Sequence, residues 1–201
     1  MSSDAAYRLV RFRLPRPHTA EALDSLAGTW SAACAASGLH PWGLFSGLLG
    51  LRTDELFAIA SGLPGTSAWP ALPGADAVER RELLPTARPV APDPLARPGV
   101  YVLRFFEIAP GDVDRFVELS VEAWTTFENT DDYRAEPVGL FRQDLDASSV
   151  MMLLVTWYDT LTSWERSRSP APAARENFAL RARLTRYALP IATRLVARQA
   201  S

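Results

Sequence analysis

The 201-residue sequence contains no lysine, so all 21 basic residues are arginine. Without a lysine amine there is no side-chain Schiff base, and no phosphate loop of the GxxxxGKS kind. A single cysteine, Cys34, excludes an internal disulfide and a zinc knuckle. The two histidines, His18 and His40, lie far apart and outside any HExxH spacing, which argues against a His-rich metal site. A carboxylate-only magnesium site has no signature here. The glycines never form GxGxxG after a strand, so a dinucleotide fingerprint is missing as well. The expectation is no metal and no cofactor.

No apolar run reaches the roughly 18 residues of a membrane helix. The start, MSSDAAYRLVRFRL, lacks the basic region, apolar region and cleavage site of a signal peptide. No membrane span and a cytoplasmic location are expected. A net charge of −2 argues against a nucleic-acid partner, because phosphate binding needs a concentrated basic face. The arginines from Arg166 to Arg198 are interleaved with Glu165, Glu176 and alanines, and read as a solvated helix face.

What the chain does have is a repeat. Residues 99–158 read as strand, helix, strand, strand, and an earlier copy starts at Tyr7. Tyr7 aligns with Tyr101, Trp30 with Trp124 and Pro41 with Pro137; HPWGLF at 40–45 meets EPVGLF at 136–141 without a gap. Hydrophobic residues make up 48% of the chain, enough for a real core.

In the first copy, the alternation over 7–14 predicts a half-exposed strand, stopped by Pro15 and Pro17. Thr19 is a candidate N-cap for a helix whose stripe includes Leu23, Leu26, Ala27, Trp30 and Cys34, making Cys34 a small core residue rather than a nucleophile. Strands follow near 42–48 and 56–61. Residues 63–74 hold too much proline and glycine for helix and replace most of a second helix; a short helical turn is expected at 76–81, and a fourth strand from Leu83. Residues 87–98, rich in proline, predict a stiff extended linker.

In the second copy, a strand at 100–108 is apolar on both faces apart from Arg104 and Glu107. Gly111 and Asp112 turn into and cap a helix with the stripe Val113, Phe116, Val117, Val121, Trp124 and Phe127. Strands at 137–143 and 150–158 follow, then a helix broken at Pro170 and Pro172, a helical run to Tyr187, and a last strand near 191–197. Each half is thus β-α-β-β-α-β: residues 1–90 with a shortened second helix, a linker at 91–98, and residues 99–201. The fold class is α+β, a tandem duplication of the ferredoxin-like unit with two antiparallel four-stranded sheets that pack face to face or curl together as a barrel.

On Tyr101, Arg104 and Phe105, on Trp124 with Phe127 and Glu128, and on Gly139, Leu140 and Phe141, the chain resembles the dimeric α/β-barrel superfamily with its halves fused. It is similar in particular to NIPSNAP-like proteins. The resemblance implies a range of activities: cofactor-independent monooxygenases, cyclases and isomerases, haem enzymes, and members without known chemistry. The haem branch requires a proximal histidine near the end of a long helix, and neither His18 nor His40 is so placed. NIPSNAP-like relatives suggest partner binding and offer no agreed catalytic set.

In such units a pocket opens between the sheet and its helices. Trp124, Phe127, Phe141, Trp157, Tyr158 and Trp164 are the aromatics available to line one, or simply to fill a core. Arg104 interrupts an apolar strand and needs either a carboxylate partner or an anionic ligand to offset its desolvation. If Arg104 pairs with Glu128 it is structural; if it is free, it is an anchor for a carboxylate or phenolate, with Glu128 or Tyr133 as a proton-transfer group. His40, which matches Glu136 across the repeat, is a further candidate base or a plain surface residue. Two functions stay open: a barrel protein binding a small hydrophobic, aromatic or anionic ligand or a protein partner, and a cofactor-independent monooxygenase, cyclase or isomerase acting on an aromatic or polyketide-like molecule. The barrel is expected within one chain, with a further homodimer through an outer surface left open.

Overall fold

The computed structural model describes residues 5–63, 65, 68–169 and 172–196. Among them the elements run β1 (Ala6–Arg13), α1 (Ala20–Ala36), β2 (His40–Leu49), β3 (Glu55–Gly62), β4 (Asp76–Arg88), β5 (Val100–Ile108), α2 (Val113–Phe127), β6 (Ala135–Asp144), β7 (Val150–Tyr158), α3 (Leu161–Arg166), α4 (Pro172–Leu184) and β8 (Thr185–Leu195). The strands close into one barrel in the order β1-β3-β2-β8-β5-β7-β6-β4. Two antiparallel seams join the halves, β2 with β8 and β4 with β6. The expected pair of sheets is therefore a fused α/β barrel in which, among the described residues, every strand has a neighbour on both sides over at least part of its length.

Period-2 alternation sorts the strands into an inside and an outside. On β5, Tyr101, Leu103 and Phe105 join the core of the barrel lumen. Val102, Phe106 and Ile108 point outward, into the cores beneath the helices of the second half. The first half covers its outer face with α1 and, where a second helix is missing, with the segment carrying Trp69 and Leu72. The Thr19 side chain accepts a hydrogen bond from the Ala22 N–H at 3.3 Å and caps α1. Asp112 makes no such bond; a 3-10 turn at Pro110–Asp112 leads into α2 instead.

Two expectations fail in instructive ways. Residues 76–81 are strand rather than helical turn, because pairing with β1 over Asp76 to Leu83 outweighs their local helix preference. Cross-strand ion pairing, Arg11 to Glu79 at 2.9 Å, adds to it. Helix α4 ends at Leu184, short of Tyr187, and β8 starts at once and runs through Pro190. Proline is tolerated because β2 pairs with β8 only from Ala192 to Leu195, so at Pro190 the strand has one ladder neighbour, β5. Pro170 and Ala197 lie outside the described residues. Residues 89–99 form no regular element, but Leu95 donates its N–H to the Trp42 carbonyl at 2.8 Å and packs on the lumen core.

The repeated PxGLF has a clear physical content. In both copies the register slips between the proline and the glycine, a β-bulge at Trp42 and Val138. Gly43 then stands opposite Ile59, and Gly139 opposite Val155. At each glycine a Cβ would sit 2.5 Å from the ring of the phenylalanine two residues on, Phe45 or Phe141. Those rings are fully buried and have nowhere to swing. Gly43→Ala and Gly139→Ala should therefore each cost about 1–3 kcal/mol in chemical denaturation, by overpacking. A neutral result at both positions would contradict the wedge. Residues 98–201 expressed alone should self-associate, since half of the lumen would be bare; a soluble, folded monomer in sedimentation would contradict the shared core.

Candidate functional site

A cavity of about 530 Å³ opens between the outer face of the second half's sheet and helices α2 and α4. Its apolar lining comes from Phe106 on β5, Trp124 and Phe127 on α2, Leu154 on β7 and Phe178 on α4. Among the described residues four arginines, Arg104, Arg168, Arg181 and Arg186, line it as well, and no carboxylate does. Strand alternation aims Arg104 outward with Val102 and Phe106. Among the described residues its side chain has neither a hydrogen bond nor an ion pair. Burial is the main influence lowering the Arg104 guanidinium; Tyr158 opposes it and Arg168 adds to it.

Arg181 is the more costly cation, only 5% exposed. Its Nη1 donates to the Ser120 hydroxyl at 3.1 Å, a neutral partner. The rings of Phe178, Phe106 and Phe116 lie 5.0, 5.2 and 5.4 Å from its guanidinium carbon, and cation–π attraction offsets part of the desolvation. Burial, reinforced by Arg104, pulls its guanidinium down to about 9. It is still charged at neutral pH. Across the cavity, burial pushes the Tyr158 phenol up while Arg104 pulls it the other way. The Ser167 hydroxyl donates to the Tyr158 oxygen at 3.5 Å.

The residues singled out in the sequence do not all meet here. Arg104, Trp124 and Phe127 line the cavity. Phe141 lies in the barrel lumen, its ring 4.9 Å from Tyr7 and edge-on to Trp42 at 5.5 Å. Trp157 closes one end of the lumen; its indole N–H donates to the Pro98 carbonyl at 2.8 Å, and the Arg97 guanidinium carbon lies 3.5 Å from its ring centre. Trp164, on α3, packs at the edge of the Phe127–Tyr158 cluster. Glu128 is taken by Arg88, whose Nη2 donates to it at 3.2 Å. Arg88 also donates to the Pro137 carbonyl and covers the Trp124 ring at 4.8 Å. Tyr133 is buried beside Phe127 at 5.3 Å, and burial pushes its phenol up to about 12, so it keeps its proton at neutral pH. His40 is exposed at the start of β2.

Sequence reasoning missed Arg181 by treating the arginine run as a solvated face. The signal was present. Ala174, Phe178 and Arg181 fall at helical spacing on the covered side of α4, with an arginine where a third apolar residue belongs. In the first half the cleft beside Trp30 is about 280 Å³, and among the described residues no charged one lines it. Burial raises Cys34 to about 12, as suits a small core residue. Among the described residues no group of three or more His, Cys, Asp or Glu could hold a metal, and no helix is long and apolar enough to cross a membrane.

No family model matches the chain, and no curated protein matches it either. Solved structures do. An anthrone oxidase-like protein superposes with a TM-score of 0.59 at 12% identity, covering 100% of this chain and 98% of its own. A proposed monooxygenase of Fusobacterium nucleatum gives 0.56 at 10% identity, covering 98% of this chain and 94% of its own. A ferredoxin-fold protein of Listeria monocytogenes, related to antibiotic biosynthesis monooxygenases, gives 0.51 at 11% identity, with 95% of each chain covered. The likeness spans the full chain and concerns the fold.

Among the described residues no carboxylate pairs with Arg181, and this makes a measurable difference to stability. A buried cation replaced by an apolar residue of similar volume commonly stabilises a fold, and Ser120 keeps its bond to the Phe116 carbonyl at 2.7 Å without Arg181. Arg181→Met should raise unfolding free energy by about 1–2 kcal/mol in urea, without ligand. A loss of stability would mean that Arg181 is compensated inside the protein.

Proposed function

We propose that this fused α/β barrel binds a small, flat, hydrophobic anion, an aromatic carboxylate or phenolate, in the cavity between its second sheet and α2 and α4. One observation carries this reading: Arg104 and Arg181 hold uncompensated charge in an aromatic-lined cavity whose lining includes no acid. Such an arrangement is unfavourable until an anion enters, and then each guanidinium contributes a charge-assisted hydrogen bond in a low-dielectric setting. A volume near 530 Å³ suits a ligand of two or three fused rings. Arg104 serves as the anchor, and Trp124 and Phe127 as the walls. A kinship with NIPSNAP-like proteins is part of this proposal, although much of what carries the resemblance, Gly139, Leu140 and Phe141 above all, serves packing.

A second reading is supported by the neighbours described as an anthrone oxidase-like protein and a proposed monooxygenase. The same arginines would hold an enolisable phenolic ketone as its enolate, an electron-rich species that reacts with dioxygen. In that reading the protein's part is electrostatic stabilisation of the anion. Glu128 and Tyr133 are poorly suited as bases, the one tied to Arg88 and the other firmly protonated.

Calorimetric titration with 2-naphthoate tests the binding reading. Saturable 1:1 binding is expected, weakened about tenfold or more in Arg104→Met, a loss of at least about 1.4 kcal/mol. Binding that is equally tight for uncharged naphthalene, or indifferent to Arg104→Met, would contradict it. Oxygen uptake on adding anthrone, lost in the same variant, would favour the catalytic reading.

A further inference from the structure

The barrel lumen is not filled along its whole length. At one end Tyr7, Trp42, Phe45, Tyr101 and Phe141 interlock and exclude solvent. Towards the other the filling stops at Phe57 and Phe105, whose rings lie 5.9 Å apart, with Met151 and Ile191 beside them. Above this floor is a cavity of about 510 Å³. An eight-stranded barrel is just wide enough either to be filled by its own side chains or to hold one small ligand, and this one does each at a different end.

The walls of the mouth have two characters. On the β1, β3 and β4 side a chain of ion pairs runs round the rim: Arg11 donates to Glu55 and to Glu79, both at 2.9 Å, Arg13 to Glu55 at 2.8 Å, and Arg81 to Glu79 and, at 3.0 Å, to Gln143. The third carboxylate of the lining, Glu107, accepts from the Ser149 hydroxyl at 2.9 Å. The side where β8 overruns β2 is apolar and open to solvent, with Leu189 38% and Tyr187 54% exposed, and Leu145, 44% exposed, borders the mouth from the turn after β6. Among the described residues three arginines and three glutamates line this cavity, so its charge is balanced and its carboxylates are already engaged. An ion entering here would find no vacant counter-charge. A neutral apolar molecule would gain by covering the floor and the exposed leucines at no electrostatic cost.

We infer that the open end of the barrel is a second binding site, distinct in chemistry from the arginine-lined cavity, and that it takes an uncharged, largely apolar small molecule. The balanced rim orders the entrance, while Phe57, Phe105, Met151, Ile191 and Leu189 provide the contact. Mouths of β-barrels are common ligand sites, and the volume lies within the range of small-molecule pockets. This site stands whether or not the anion reading is correct.

The experiment uses the full-length protein and the neutral fluorophore N-phenyl-1-naphthylamine. Phe106 and Tyr187 border both cavities, so the variants avoid them. Saturable binding near 1:1 is expected, weakened about tenfold by Leu189→Asp, equivalent to about 1.4 kcal/mol, unchanged by Arg104→Met and not displaced by 2-naphthoate. Leu189 is partly exposed, so its substitution leaves the fold intact; Met151→Trp, which fills the cavity from its floor, should weaken binding similarly. Absence of saturable binding would overturn the inference. So would binding that Leu189→Asp leaves intact, or that Arg104→Met or 2-naphthoate abolishes, since the dye would then occupy the other cavity. A dimer in sedimentation that Leu189→Asp dissolves would make the mouth an interface between copies and overturn it too. Failure of 2-naphthoate to bind, with dye binding retained, would count against the anion reading alone.

Discussion

Two reciprocal ring contacts inside the barrel hold the rest in place. Tyr7 of the first half lies 4.9 Å from Phe141 of the second, and Tyr101 of the second lies 5.5 Å from Phe45 of the first. The partners exchange across the repeat, as a self-complementary interface between two copies requires. Each phenylalanine occupies its place because a bulge and a glycine two residues earlier leave room for the ring. Closure of the barrel depends on the same arrangement, since the seams β2–β8 and β4–β6 are short and irregular in register. Aromatic packing in the lumen contributes what those ladders lack, and such pairs add about 0.5–1.5 kcal/mol each beyond the area they bury.

With the lumen committed to joining the halves, the outer faces were free to diverge. The first half kept Val10 at the position matching Arg104 and buried it with Phe12, Trp30 and Cys34 under α1. It also lost its second helix to the proline-rich stretch. The second half kept both helices, and α4 stands off the sheet far enough to leave a cavity, which its own Arg181 enters from the helix side while Arg104 enters from the strand. Among the described residues a cavity with a charged lining of this kind therefore occurs under the helices of the second half, while the cleft beside Trp30 has no charged lining. The long strand β8 has a related effect at the barrel end: from Thr185 to Pro190 it pairs with β5 alone, and Leu189 is left at the mouth with no strand beyond it.

Much of this was legible in the sequence because it rests on local pattern. Trp30 and Trp124 declared themselves by helix stripe and are 2% and 4% exposed. Thr19 declared itself as a cap, and the ungapped PxGLF as an equivalent position in both sheets. The strand at Asp76–Arg88 was legible from Leu83 on but not over its first residues, 76–81, because Glu79, Arg80 and Arg81 favour helix locally and become strand only through pairing with β1. For the site, Arg104 could be found because it interrupts a strand that is otherwise apolar on both faces. Phe141 and Trp157 looked the same as Trp124 and Phe127 by composition. Only the sheet's inside and outside separates them, and a repeat of β-α-β-β-α-β does not say which face of a strand will meet the other half.

The arginines at the outer cavity and at the mouth illustrate opposite solutions to one physical problem. At the mouth, Arg11 and Arg81 are paired with Glu55 and Glu79, and Glu55, 1% exposed, is held by both Arg11 and Arg13. Burial alone would raise that carboxyl; the hydrogen bonds from Arg13 and Arg11 outweigh it and leave it lowered. It therefore adds stability above the unfolded carboxylate range, and that contribution is lost as pH falls through the lowered value. This network strengthens the fold and asks nothing of a ligand. In the outer cavity Arg104 and Arg181 share one lining, Arg104 adds to the lowering of Arg181, and the phenylalanines around Arg181 offset only part of the cost of burying it. A chain rich in carboxylates, 23 against 21 arginines, had ample means to neutralise them from within. Charge left unpaired at a buried position is a standing cost to stability, which an anion held there would remove.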